Sequence, residues 1–316
     1  MATESLTQTT VKKTRGGGLF KRIVKHRWYY LMLIPGLIWV FLFHYLPISN
    51  LAIAFQDFKI FKGIGGSEWV GFAHFKTLFA SRVFYKLLGN TVILSFANLF
   101  IGFPFAIILA LMINEVSHSF IKRSVQTIVY LPHFMSWVVV AAIANTVFSL
   151  SYGAINNVIR ALGGEAVFFL GRTDLFRQVL VGVNVWKESG WNAVLYLAAL
   201  AGVPVELYEA ASVDGASRFQ KMIHISIPAI LPTISITLLL RIGRILNMGF
   251  EQVLAMYNPA VYDVADILDT YVYGVGLVEQ NYSFSTAVGL FKSVVSFILV
   301  LGSNRLARAL GQESLF

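Results

Sequence analysis

The chain has 316 residues, of which 57% are hydrophobic and only 13% charged. A typical soluble domain is about 45–50% apolar and about 25% charged, so this chain lacks the charge to cover a water-facing surface. Its mean hydropathy of +0.69 points to lipid as the main solvent. Having no cysteine excludes disulfide frameworks, thiolate metal sites and Cys nucleophiles, and the meaning of the +9 net charge depends on where the charge sits.

Residues 1–27 are polar and basic, with seven Lys and Arg and a glycine run at Gly16, Gly17 and Gly18. They predict a cytoplasmic tail, disordered to about Gly18, then a short interfacial helix ending in Lys25, His26 and Arg27. The first apolar segment is too long for a cleaved signal peptide. A spanning helix needs about 20 mainly apolar residues. Runs free of Asp, Glu, Lys and Arg extend from Trp28 to Gln56, Leu87 to Asn114 and Ser124 to Ile159, which predicts helices near 28–48, 88–113 and 125–149. Three more apolar stretches, near 178–202, 230–250 and 283–303, carry charge inside them. The reading is an all-α integral membrane protein, with six transmembrane helices in one domain over 28–308 and a short tail at 309–316. Segment 51–87, rich in Phe, Gly and Trp, is too long for a tight turn and predicts a small cap or amphipathic helices.

Basic residues set the orientation. They crowd into 1–27 and are absent from 251–282, which carries Glu251, Asp263, Asp266, Asp269 and Glu279 instead. Both termini are therefore placed in the cytoplasm, with 51–87, 150–177 and 252–282 outside. Asp263, Asp266 and Asp269 are spaced by three, so in a helix they share a face that is solvated or docks a partner.

The informative cytoplasmic loop is 203–232. It reads Glu209-Ala210-Ala211-Ser212-Val213-Asp214-Gly215, then Ile227-Pro228 and Leu231-Pro232. Helix-forming halves flank Gly215, where glycine permits the positive φ that turns one short helix into the next. Ala210, Ala211 and Ala216 allow a close partner surface, and Glu209 and Asp214 offer it charge. The plainer alternative is an amphipathic connector.

This stretch resembles the EAA signature of binding-protein-dependent ABC importer permeases. Trp69-Val70-Gly71-Phe72-Ala73-His74-Phe75 is similar to the segment before the second helix in maltose-type sugar permeases. Tyr130-Leu131-Pro132-His133-Phe134, Tyr196-Leu197-Ala198-Ala199-Leu200, Asn247 to Leu254, Tyr271-Val272-Tyr273 and Thr286 to Phe291 resemble the LplB-like permeases, which import oligosaccharides and polysaccharide fragments. The resemblance covers roughly 28–316. It implies a type I importer permease fold in a bacterial cytoplasmic membrane, with Glu209, Ala210, Ala211, Asp214 and Gly215 in a coupling helix. It also implies a second permease subunit forming a heterodimer, two ATPase subunits and an extracytoplasmic solute-binding protein. ATP and magnesium belong to the ATPase subunits, and no Gly-x-x-x-x-Gly-Lys-Ser/Thr occurs here. The chain itself is read as a transport subunit without a catalytic residue.

Lys187, Glu188, Arg241, Arg244 and Lys292 fall inside predicted spans. A charge in hydrocarbon costs roughly 2.5–3.5 kcal/mol on insertion scales, so such residues face a partner, a polar cavity or each other. Arg241 and Arg244, three apart, share a helix face. Internal pairing with Glu188 accounts for one cation of four. The LplB-like pattern usually has uncharged residues near Lys187 and Lys292, so this chain departs from it by adding cations. Two readings stay open. Either these residues, with Trp191 as an aromatic neighbour, line a path for an anionic saccharide of uronate type, or they pair with the other permease subunit and a neutral sugar passes. The six histidines show no ligand spacing, so no metal site is expected.

Two other classes compete. A membrane-embedded enzyme of saccharide metabolism needs a carboxylate pair or metal cluster near the membrane surface. A secondary transporter working alone usually shows paired repeats and broken helices, and neither is evident in the sequence.

Overall fold

The computed structural model describes residues 24–247 and 249–309. The expectations for the N-terminal tail up to residue 23 and for 310–316 lie outside the described residues. The chain divides into two compact units, the first ending at Ala52 and the second beginning at Ile53.

The first unit is built on α1 (Arg27–Val40), which continues through a π turn (Phe41–Tyr45) into a 3-10 segment (Leu46–Phe55) that crosses the unit boundary. Every residue from Val24 to Leu51 is exposed. A helix apolar on all faces needs no protein partner to satisfy its backbone, because its hydrogen bonds are internal and lipid solvates its side chains.

The second unit opens with a small cap. Strands β1 (Gln56–Asp57) and β2 (Glu68–Trp69) pair antiparallel around the short helix α2 (Gly63–Gly66), and α3 (Ala73–Ala80) follows. Phe55 holds it together, with Trp69 stacked at 5.7 Å and Phe72 edge-on at 5.4 Å. The cap is shorter than 51–87, because the next helix already begins at Arg82, where the Ser81 hydroxyl accepts from the Phe84 amide. That helix, α4 (Arg82–Ala97), runs through a π turn (Asn98–Gly102) into α5 (Phe103–Asn114) as one 33-residue span.

The predicted helix at 125–149 is two helices. α6 (Ser119–Tyr130) ends in a 3-10 turn (Leu131–Phe134), and α7 (Trp137–Val147) leaves at 106°. Pro132 has no amide to donate, and Ser136 caps the new helix by accepting from Val139. A broken helix is therefore present, contrary to the expectation. A short helix, α8 (Ala154–Ala161), precedes α9 (Thr173–Ala201), which is 29 residues long. α10 (Val205–Val213) then departs at 73°.

α11 (Arg218–Lys221), a π turn (Met222–Ser226) and α12 (Ile227–Gly243) form one 26-residue span. The latter half of the 203–232 loop is thus already helix. The predicted helix at 230–250 stops at Gly243, followed by a 3-10 turn (Ile245–Asn247) and by Gly249 at φ +90°, which only a glycine adopts easily. α13 (Phe250–Met256), α14 (Tyr262–Ala265), α15 (Leu268–Tyr273) and a π turn (Gly274–Val278) lead to α16 (Tyr282–Ala309). Among the described residues four spans are long and apolar alone, and the two bent pairs bring the number to six.

α9 is the central element. Phe176, Val179, Leu180 and Val183 pack on Val140 and Ala144 of α7. Ala193, Tyr196 and Leu200 pack on Phe103, Ala106 and Ala110 of α5 and Ile230 of α12. The small residues let helices approach closely where lipid supplies no hydrophobic drive between them. A third cluster joins Leu78, Phe84, Leu87, Leu268, Phe284 and Val288.

Asp263, Asp266 and Asp269 do not form one helix face, because the chain turns extended at Asp266 between α14 and α15. Each has its own partner: Lys86 for Asp263, the Thr270 hydroxyl for Asp266 and Lys292 for Asp269. Burial pushes the Asp266 carboxyl above the usual carboxylate range, against the opposing Thr270 hydrogen bond.

Candidate functional site

Two regions hold the residues singled out from the sequence apart from Lys187 and Lys292. The first is the bend after α9. α10 buries none of its nine residues, and Glu209, Ala210, Asp214 and Gly215 are exposed while Ala211 is half-buried. Its end is a Schellman turn: the Ala216 amide donates to Ala211 at 2.8 Å, the Gly215 amide donates to Ser212 at 3.1 Å, and Gly215 sits at φ +79°. Ser217 and Gln220 then form a capping box that starts α11. Tyr208 and Ser226 hydroxyls meet at 2.9 Å, and Lys221 donates to the Ser212 hydroxyl at 2.8 Å. A short helix is thus held rigidly while its whole outer surface stays open, with Val213 at 88% exposure on it.

The second region is a cavity of about 780 Å³ between α5, α7, α9 and the C-terminal half of α12. Glu188, Trp191, Arg241 and Arg244 line it, with Trp137, Asn184, Asn192, Tyr196, Asn247 and Glu251. The guanidinium of Arg241 lies 5.9 Å from the Phe103 ring centre. Among the described residues neither arginine side chain forms an ion pair or hydrogen bond.

Lys187 and Lys292 are placed differently. Lys187 is buried, donates to Glu188 and to the His133 carbonyl at 2.9 Å each, and lies 5.0 Å from the Trp137 ring centre. It ties α9 to the turn between α6 and α7. Lys292, also buried, pairs with Asp269 of α15. Internal pairing therefore takes two of the four cations rather than one, and neither lysine lines the cavity.

The sequence reading passed over Trp137, Asn184 and Asn192 of the lining and, except as part of a motif, the adjoining His133. The Nδ1 of His133 lies 2.8 Å from Glu188 Oε2, and its ring stacks on Trp191 at 4.7 Å with parallel planes. Asn184 and Gln252 add a buried polar link, with Asn184 donating to Gln252 at 3.2 Å and Gln252 donating to the Leu180 carbonyl at 2.6 Å. The apolar run around Pro132 carried one usable signal, a proline that breaks a spanning helix. The long-range partners of His133 carried none. Gly190 fixes the approach: a Cβ there would lie 1.9 Å from the Val129 carbonyl oxygen.

Residues 102–312 match the model of the binding-protein-dependent transport system inner membrane component family. This chain belongs to that family. The permease is 48% identical to Protein LplB of Bacillus subtilis (strain 168), over 96% of each chain. It is 45% identical to the polygalacturonan/rhamnogalacturonan transport system permease protein YteP of the same organism, covering 96% of this chain and 95% of that one. A solved bacterial ABC transporter involved in import of the acidic polysaccharide alginate contains a chain 42% identical, with a TM-score of 0.86, over 92% of this permease and 98% of that chain. A second structure, of an alginate transporter in complex with an alginate pentasaccharide-bound periplasmic protein, matches at 41% and a TM-score of 0.87, over 94% and 99%. The permease is thus a multi-pass inner-membrane transport subunit of type I importer fold rather than an enzyme.

Proposed function

We propose that this permease carries carboxylated oligosaccharides or polysaccharide fragments of uronate type through the cavity on α9 and α12. One observation carries the reading: Arg241 and Arg244 line a polar, aromatic-walled cavity, and among the described residues neither is ion-paired to an acid, Glu188 and Glu251 of the same lining included. A carboxylate offsets the cost of holding those cations away from water, and Arg grips it with two parallel hydrogen bonds. Similarity to a polygalacturonan/rhamnogalacturonan permease and to an alginate importer supports the same class.

The working assembly in this reading has a second permease subunit, two ATPase subunits that hold ATP and magnesium, and an extracytoplasmic binding protein. α10 with Glu209, Ala210, Ala211, Asp214 and Gly215 is its coupling helix, and both termini are cytoplasmic. Lys187, Glu188 and Lys292 keep the transport path in shape, while Trp191, Arg241 and Arg244 face the saccharide. The test is uptake into proteoliposomes containing the whole complex, with a galacturonate oligomer set against a neutral oligosaccharide. Arg241→Gln is expected to reduce uronate uptake by about tenfold, as the loss of roughly 1.4 kcal/mol implies, and to leave the neutral sugar near its original rate. Equal loss for both overturns the charge reading. Impermeant labelling in intact cells of a Cys placed at Ser217 overturns the orientation.

A further inference from the structure

Beside the arginine cavity lies another of about 440 Å³, and Asn247 and Phe250 belong to the walls of both. Its remaining walls include Tyr273, Tyr282, Ser285 and Asp269. The rings of Phe250 and Tyr273 lie 5.7 Å apart at 50°, and Tyr282 is braced edge-on by Phe58 at 6.2 Å. The wall is close-packed behind these rings, since a Cβ on Gly276 would lie 2.7 Å from the Ser285 hydroxyl.

The two cavities differ in charge. Among the described residues lining the second cavity, Asp269 is the acidic side chain, it is already paired with buried Lys292, and no Lys, Arg or His joins it. The second cavity therefore offers no free cation to a carboxylate. It offers aromatic faces, an amide and hydroxyls, which suit the apolar C–H face and the hydroxyl rim of a sugar ring.

We infer that this second cavity is a saccharide subsite continuous with the first, taking a sugar unit by stacking on Tyr273 and Tyr282 while the carboxylate of a neighbouring unit is held at Arg241 and Arg244. The inference rests on the proposed role of the arginine cavity. It assigns the second cavity to chain length: a saccharide long enough to occupy both is held by both, and a short one by the arginines alone.

Uptake of digalacturonate and pentagalacturonate by the reconstituted complex, with binding protein in excess, separates the two ideas. Tyr273→Ala is expected to slow the pentamer about tenfold more than the dimer, and Tyr273→Phe to restore it, since the ring rather than the hydroxyl provides the stacking face. Equal slowing of both oligomers, or of neither, overturns the second subsite. Arg241→Gln reads the first cavity independently, because it should slow both oligomers. A result in which Arg241→Gln spares both while Tyr273→Ala still discriminates by length sinks the arginine reading and not the stacking one. The chain has no native cysteine. A Cys at Ser285 therefore gives a second readout: slower maleimide labelling with pentamer than with dimer supports the subsite. Failure to label in the assembled complex without sugar means a partner subunit covers the wall, and overturns it.

Discussion

Two pairs of cations sit in apolar helices of this permease or, for Arg244, just past the end of one, and their surroundings are opposite. Lys187 and Lys292 have side chains only 5% and 6% exposed, and each meets a carboxylate, Glu188 and Asp269. Arg241 and Arg244 face an open polar cavity and meet none among the described residues. The lysines tie distant segments together, α9 to the broken third span and α16 to α15. Among the described residues the arginines form no ion pair. These cations thus divide into fasteners and ligand-facing groups, and what divides them is whether a carboxylate, adjacent as Glu188 is or distant as Asp269 is, stands within pairing reach.

The largest expected effect breaks the fasteners. Removing one partner of a buried pair leaves an uncompensated charge, which costs about 3–5 kcal/mol. Asp269→Ala should lower the thermal unfolding temperature of the purified complex markedly, and Asp269→Ala combined with Lys292→Met should recover most of it. Unfolding at the wild-type temperature for the single variant would show that Lys292 does not depend on Asp269. Arg241→Gln and Arg244→Gln sharpen the contrast from the other side. Since no pair is broken, each should move the unfolding temperature by far less than Asp269→Ala does while reducing uronate uptake.

A third variant tests a region that neither pair touches. Gly215→Pro cannot adopt φ +79° and loses the amide that donates to Ser212. Insertion and thermal stability should change little, because α10 buries nothing. Substrate-stimulated ATP hydrolysis by the complex should fall severalfold. Full stimulation in that variant would remove α10 from the coupling role.

The smallest expected effect is a pH slope. Burial raises the Asp266 carboxyl, so the folded state favours its protonated form. Its contribution is therefore fully present below the unfolded value, about pH 3.9, and is lost as pH rises through the raised folded value. Asp266→Asn, which keeps an acceptor for the Thr270 hydroxyl, should flatten that decline. Comparing unfolding temperatures of the two proteins between about pH 4 and pH 7 measures it. A steeper decline in the variant would show the sign to be wrong.

The bend at α10 was legible in advance because its determinants are local. Glu209 to Gly215 lie within two helical turns, and a glycine after a short helix specifies a left-handed turn from its own missing Cβ. The spacing of the two arginines was legible too, but α12 ends at Gly243, so Arg244 lies in the turn beyond it and the pair meets at one cavity rather than on one helix face. The cavity was legible only in part. His133, Asn184, Gln252 and Asp269 act through partners 23 to 72 positions away, and no local pattern names such a partner.

The sequence by itself determined that this protein lives in lipid, crosses it about six times, and turns one short helix into the next at Gly215 within 203–232. These follow from hydropathy, length and glycine placement, which act on each stretch of chain separately. Tertiary structure alone decided that Lys187 also reaches the His133 carbonyl, that Lys292 pairs with Asp269, and that Arg241 and Arg244 are left to a cavity. A charge in a low-dielectric interior is governed by whatever lies within a few ångströms of it, and folding, not sequence order, chooses that neighbour.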